Sequence, residues 1–330
     1  MHGAYHAKPA PGRGETPHRA RTWRIRRHPA ASRPVRDRLV SWLLLHVLHR
    51  LAADTACRIG GGLGVIAWRL GIRRRVAQEQ MAAILGLRGR ARARILRRSY
   101  ATMGASFLEL WTVGGPDGPE RHVELLDPRW CDRLAGAGGV VFATLHLGSW
   151  DMAAHAWAAR YGSVTAYAKE QHDPEVDAAT NRRRADLGIR ILLAHRGDRT
   201  AAVKALRLLR DGGGLGLLAD QRPSRGEGAE ADFLGHRLPV QAGPAFFALR
   251  SGASLVPGFG LRRRAGRSVV WIGRPLTGAD ENELRQNACD AMAACIAAFP
   301  GQYFWQHRRL RGEPRTDRAT DWRTGLAWFR

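Results

Sequence analysis

Apolar positions fall into two regimes along this 330-residue chain. In the first third they form longer stretches broken by arginine. Leu39–Leu48 is interrupted by His46 and followed by Arg50, Ile59–Trp68 lies between Arg58 and Arg69, and residues 73–112 continue a helical pattern. From Val123 onward the apolar runs shorten and alternate with helical segments. Val140–Leu145, Val164–Ala168, Ile189–Leu193, Leu215–Ala219, Leu255–Phe259 and Val269–Ile272 read as buried strands, with helices between them at Thr200–Arg210 and Pro244–Arg250. Such alternation predicts an α/β layered sheet with flanking helices, preceded by an α-helical N-terminal region. The pattern divides the chain into a basic arm at 1–38, predicted to be disordered, a helical membrane-associated region at 39–118, an α/β domain at 119–312 and a basic tail at 313–330.

Neither early apolar run reaches the ~18–20 residues that a membrane-spanning helix requires. Aliphatic and aromatic residues bracketed by arginine suit helices lying in a membrane interface, and equally two core helices of a helical subdomain. Residues 88–98 carry six arginines, which on a helix spread around the axis as a basic collar.

The sharpest local feature is His146-Leu147-Gly148-Ser149-Trp150-Asp151, at a predicted strand-to-helix junction. Open α/β sheets place their sites at the carboxyl ends of strands. If Gly148 folds the chain back, a carboxylate on one imidazole nitrogen fixes the tautomer while the other accepts a hydroxyl proton. Asp151 is one candidate for that carboxylate. It is also well placed simply to favour a helix N-terminus, with Ser149 as N-cap and His155 as a rival neighbour one turn on. Asp220 ends the strand Leu215–Ala219, so it is a second candidate, because two strand-end sites can share one crevice. Gly212-Gly213-Gly214 lacks the Lys-Ser/Thr of a phosphate loop and reads as a turn into a strand. No Gly-x-Ser-x-Gly elbow gives Ser149 a hydrolase context.

Composition changes the picture in two ways. A formal charge of +24 favours a polyanionic partner, whether nucleic acid, an anionic membrane surface or a phosphorylated substrate, though many arginines are expected to be solvated surface. Ten of the basic residues lie in residues 1–40, against two acids. The four cysteines, Cys57, Cys131, Cys289 and Cys295, are scattered, so neither a zinc site nor a disulfide framework is expected. No secretory signal pattern is evident at the N-terminus.

His146-x4-Asp151 resembles the signature of glycerolipid acyltransferases, and three further blocks narrow the likeness. Leu217–Gln221 with Asp232–Gly235, Ala242–Ala245 with Leu249–Ala253, and Phe299–Arg309 follow in the order of the lipid A biosynthesis acyltransferases. The first blocks also resemble phosphatidylinositol mannoside acyltransferases. The likeness covers roughly residues 36–312. It departs at Asp151, where many lipid A enzymes have Glu, and at Asp220-Gln221-Arg222, where a second acid is replaced by a cation.

The resemblance implies a glycerol-3-phosphate acyltransferase-like fold and an O-acyltransferase. It implies His146 as general base with Asp151 or Asp220, no metal or bound cofactor, and essential arginines best matched by Arg184 and Arg196. Those arginines, together with backbone N–H groups near Gly148, are expected to bind substrate phosphate and the reaction oxyanion. The expected donor is an acyl-acyl carrier protein or acyl-CoA thioester, and the expected acceptor is a lipid A precursor of lipopolysaccharide biosynthesis. The expected place is the cytoplasmic face of the inner membrane, with no nucleic acid as partner. Another glycolipid or lysophospholipid is the alternative acceptor. A non-catalytic basic membrane- or nucleic-acid-binding module is the alternative of a different class.

Overall fold

A computed structural model describes residues 48–168, 174–194, 199–224 and 226–316. The N-terminal arm, most of Leu39–Leu48, Arg196 and most of the basic tail lie outside the described residues. In chain order the helices are α1 (Ala53–Arg69), α2 (Arg74–Leu85), α3 (Gly89–Glu109), α4 (Pro128–Gly136), α5 (Trp150–Tyr161), α6 (Pro174–Asp186), α7 (Thr200–Arg210), α8 (Gly243–Ser251) and α9 (Glu281–Ala298). The strands are β1 (Val123–Leu125), β2 (Val140–Thr144), β3 (Val164–Ala168), β4 (Ile189–Leu193), β5 (Gly214–Leu218), β6 (Ala229–Phe233), β7 (His236–Val240), β8 (Ser254–Arg264) and β9 (Arg267–Ile272).

Seven strands form one mixed sheet in the order β1-β9-β8-β2-β5-β3-β4, parallel throughout except at the β8–β9 hairpin. The central strands are apolar on both faces because helices cover both. Val140, Val141, Phe142 and Ala143 are all buried, as a parallel strand between two helical layers requires. One face packs Phe142 and Val164 against Met152 and Trp157 of α5. The other packs Val141 and Leu215 against α7, α8 and α9.

The helical region rests on a close crossing of α1 with α3, built from glycine. A Cβ on Gly64 would lie 2.0 Å from the Tyr100 carbonyl oxygen, and one on Gly60 would lie 2.3 Å from that of Gly104. No larger side chain fits either position. With α1's small residues spent on this contact, its large ones face outward: Ile59, Leu63, Ile66 and Leu70 are all exposed. Among the described residues no helix is long and apolar enough to cross a membrane.

The predicted strands and helices form within one or two residues of their expected bounds, apart from β8, which runs on to Arg264. Residues 73–112 are two helices rather than one, broken where Gly86 takes a left-handed conformation. Three elements had no clear apolar signal. β1 is a three-residue edge strand, and β6 and β7 form a separate two-stranded hairpin with charged alternate positions.

Candidate active site

Strands β2 and β5 are neighbours in register, with Thr144 opposite Leu218. The Ala219 N–H donates to the Thr144 carbonyl, which carries the pairing one residue further. His146 and Asp220 each follow two residues beyond that matched pair, so the register itself brings them together. His146 Nδ1 is 2.8 Å from Asp220 Oδ1, and the same oxygen accepts the His146 backbone N–H at 3.2 Å. With a carboxylate as acceptor, Nδ1 carries the proton and Nε2 keeps its lone pair. Asp220 is 1% exposed while the His146 side chain is 22% exposed, so the carboxylate is sealed and the imidazole is reachable. Burial alone would raise the Asp220 pKa. The charge and hydrogen bonds of His146, with help from Arg309, outweigh it and hold the carboxyl below its ordinary range.

Other titratable groups crowd this end of the crevice. Tyr303 bonds to Asp220 through its hydroxyl, and burial pushes that hydroxyl well above its ordinary pKa. His307 accepts the Arg222 backbone N–H at its Nε2, 3.3 Å away. Burial, joined by the charges of Arg309, His146 and Arg73, depresses its pKa to about 4 against the opposing pull of Asp220. Arg309 is 2% exposed and its guanidinium has no hydrogen-bond partner among the described residues; it stacks on the Phe233 ring at 4.9 Å. Arg222 pairs with Glu313 and donates to the Arg309 carbonyl at 3.3 Å. That cation fastens the C-terminal segment to the crevice.

Asp151 takes a different partner. Its Oδ1 accepts from Arg184 Nε at 2.9 Å, and both side chains are largely buried. The Asp151 charge, opposed by burial, raises the Arg184 pKa. Of the two carboxylates left open by the sequence, the structure therefore places Asp220 on His146. In this structure α6 delivers the Arg184 guanidinium to a carboxylate at the start of α5. His155 turns away, its ring nitrogen bonded to the Leu187 carbonyl at 2.9 Å.

Gly148 has φ of +59°, and a Cβ there would sit 2.1 Å from the Gly260 carbonyl oxygen. It folds the chain back, and the amides on either side of it have backbone partners. Its N–H is bonded to the Gln302 carbonyl, Ser149 N–H to the Gly260 carbonyl and Leu147 N–H to the Leu145 carbonyl. These three amides are engaged by the scaffold. Ser149 occupies the N-cap position of α5 without capping it. Its Oγ donates instead to Glu109 Oε2 at 2.9 Å and accepts from Ser268 Oγ at 2.9 Å.

Glu109 is the centre of a buried cluster behind the turn. Arg262 grips both of its oxygens, at 2.7 and 2.9 Å, and also donates to Ser106 Oγ at 2.9 Å. Ser106 in turn donates to the Gly148 carbonyl. Sequence reasoning missed this cluster, because its charged members are 153 positions apart and no local spacing links them. It also missed Tyr303 and His307 as individuals, although their segment had been singled out as a block.

Beside the imidazole is a small apolar pocket of about 50 Å³ between α5 and the sheet, lined by Phe142, Thr144, Trp150, Ala154, Trp157 and Ile272 among others. Trp150 belongs to both features, since its ring meets that of His146 edge-on with centroids 5.5 Å apart. All four cysteines are free and buried. Among the described residues no group of three or more His, Cys, Asp or Glu comes together as a metal site would require.

The chain is 27% identical over 221 residues to a phosphatidylinositol mannoside acyltransferase of Mycolicibacterium smegmatis, covering 63% of this chain and 70% of the relative. It is 29% identical over 171 residues to a protein of the same name from Mycobacterium tuberculosis, where it spans about half the relative's length, 54%. A family model described as bacterial lipid A biosynthesis acyltransferase matches residues 32–312. That match takes in the strand-end histidine, the second acid block and the C-terminal segment behind them, and the chain belongs to this family of acyltransferases.

Proposed function

We propose that this protein transfers a fatty acyl chain from a thioester donor to a hydroxyl group of a glycolipid, with His146 as general base and Asp220 as its orienting carboxylate. The observation that carries the reading is the His146 Nδ1–Asp220 contact at 2.8 Å, which leaves Nε2 on the reachable side of the ring. The acceptor hydroxyl gives its proton to Nε2 as its oxygen bonds to the thioester carbonyl carbon. The tetrahedral intermediate collapses, the C–S bond breaks, and the imidazolium returns the proton to the departing thiolate. The small apolar pocket sharing Trp150 with His146 sets a hydrocarbon wall beside the base. Asp151 and Arg184 hold the start of α5, and so the turn that presents His146.

The donor in this reading is an acyl-acyl carrier protein or acyl-CoA, and the acceptor is a lipid A precursor, favoured by the Phe299–Arg309 segment. The mycobacterial relatives favour a mannosylated phosphatidylinositol as the second reading. The exposed stripe on α1, flanked by Arg58 and Arg69, supports peripheral attachment to the cytoplasmic face of the inner membrane.

The test is acyl transfer by purified protein, offering each donor with each acceptor and resolving products by mass spectrometry. Wild type should acylate one acceptor, and folded His146→Ala should do so about 100-fold more slowly or worse. Near-normal transfer by that variant would overturn the mechanism. Acylation of the mannoside alone would select the second reading.

A further inference from the structure

The end of the sheet that carries His146 also carries a basin of arginines that the site above leaves unused. β8 runs beside β2 as far as the pair Ala143↔Pro257 and then continues to Arg264, so its outer half overhangs the carboxyl end of the sheet. β9 returns antiparallel from Arg267, and β1 begins alongside it with Val123 opposite Ser268. An open polar cavity of about 520 Å³ lies here, lined by Arg121, His122, Glu124, Arg263, Arg264 and Arg267 among others.

These cations differ from the others near the crevice. Arg184, Arg222 and Arg262 each meet a carboxylate. The side chains of Arg263, Arg264 and Arg267 are exposed and have no ion pair among the described residues. Arg264 and Arg267 face each other across the hairpin, where like charges repel. Glu124 is the basin's sole carboxylate among the lining residues, against four guanidinium groups. Glu124, with Asp117 on His122, only partly offsets that concentration of charge.

The basin is also firmly mounted. The hairpin turns at Gly266, whose φ is +63° and whose Cβ, if present, would lie 2.7 Å from the Asp54 backbone nitrogen. The turn is thus pressed on the first residues of α1, the helix whose exposed stripe starts at Ile59, about 7.5 Å further along its axis. Ser268 lines the basin while its hydroxyl bonds to Ser149 of the catalytic turn. Charge and apolar stripe therefore adjoin, and the basin reaches the back of the turn that carries His146.

We propose that Arg121, Arg263, Arg264 and Arg267 form a binding site for the phosphate of an anionic lipid headgroup, which orients the crevice on the membrane surface. Planar guanidinium forks match phosphate oxygens two at a time, and the adjoining aliphatic stripe suits acyl chains rather than a soluble partner. The proposal deepens the membrane-surface reading given above. The stripe sets depth without choosing a headgroup, and the basin chooses one.

The test measures binding of the full chain to phosphatidylcholine vesicles with and without phosphatidylglycerol, at fixed salt. The triple variant Arg263→Gln, Arg264→Gln, Arg267→Gln is compared with Arg88→Gln, Arg90→Gln, Arg94→Gln, which loses the same charge from the exposed collar. Both triples change exposed side chains, and matched thermal melts show that both are folded. The basin variant should lose about tenfold or more of its affinity for phosphatidylglycerol vesicles and little for phosphatidylcholine, while the collar variant loses far less. Equal losses by the two triples would overturn the proposal in favour of diffuse attraction. Unchanged vesicle binding with lost binding of acyl carrier protein would overturn it in favour of carrier docking. The assay contains neither donor nor acceptor, so its failure and a failure of the acyl-transfer reading are separable.

Discussion

The two faces of the His146–Asp151 turn are built from different kinds of ion pair. Toward the crevice, Asp220 meets a histidine, with Tyr303 and His307 close by. Behind the turn, Glu109 meets Arg262 and Asp151 meets Arg184. Every cation in the second set is a guanidinium, which does not release its proton in the working range. The partner in the first set is an imidazole, which offers one nitrogen to the carboxylate and leaves the other free. In the proposed reading, chemistry and scaffold are thus separated across a six-residue turn: an imidazole where a proton is to move, and arginine where geometry stays fixed.

The widest expected gap lies between the two aspartates. Asp220→Asn leaves an amide that can donate to Nδ1, favouring the wrong imidazole tautomer, and should lower turnover about 1,000-fold or more. Asp151→Asn should lower it less than about 10-fold, because Arg184 still meets an oxygen at the start of α5. Steady-state rates with whichever donor and acceptor prove competent decide this. A reversed order would erase the division between crevice and scaffold.

Next come the pairs behind the turn, where the loss should appear in stability. Glu109→Ala strands Arg262 in a buried site at a cost of about 3–5 kcal/mol, and Arg262→Ala strands Glu109 similarly. Removing both should cost less than the sum of the single losses. Urea unfolding of the three variants measures it. Additive losses would mean that the pair is not coupled and that the turn is held by packing alone.

Smaller still is the effect on membrane partition of Leu63, which is 53% exposed on the α1 stripe. Leu63→Ser should weaken vesicle binding by roughly 2–3 kcal/mol if the side chain enters hydrocarbon, without lowering the melting temperature. Unchanged binding would assign the stripe some other role.

What was legible beforehand follows the same division. The strands that carry His146 and Asp220 announce themselves as apolar runs, and their ends mark both residues. The pairing needed the register, because the sequence does not say that β2 and β5 are neighbours. Asp151 looked equally able to serve, since one-dimensional spacing says nothing about α6 bringing Arg184 to it. The Glu109–Arg262 cluster was invisible for a related reason: both residues lie on surfaces that only the packing of α3 on the β8–β9 hairpin buries. β6 and β7 escaped notice because polar alternate positions dilute the apolar signal of a short hairpin with only one buried face.

The smallest effect tests whether the crevice side is titratable beyond its central pair. The His307 pKa is pushed down to about 4, chiefly by burial, and its Nε2 accepts the Arg222 N–H, a bond that requires the unprotonated ring. An unfolded histidine titrates near 6.5. Between about pH 6.5 and 4 the unfolded chain therefore holds a proton that the folded chain excludes, so stability falls as pH drops through that window and is level in this respect above it. One proton sets a ceiling of about 1.4 kcal/mol per pH unit, and the ring's partial exposure reduces it further. The depressed Asp220 carboxyl acts lower down: its contribution is present above the unfolded value near 3.9 and is lost as pH falls through its folded value. The two are separable. In His307→Gln the side-chain oxygen is an acceptor with nothing to titrate, so urea unfolding at intervals from pH 4 to 7 should give a shallower slope than wild type between 4 and 6.5 and the same slope above. Identical slopes throughout would show that His307 takes up its proton as readily folded as unfolded.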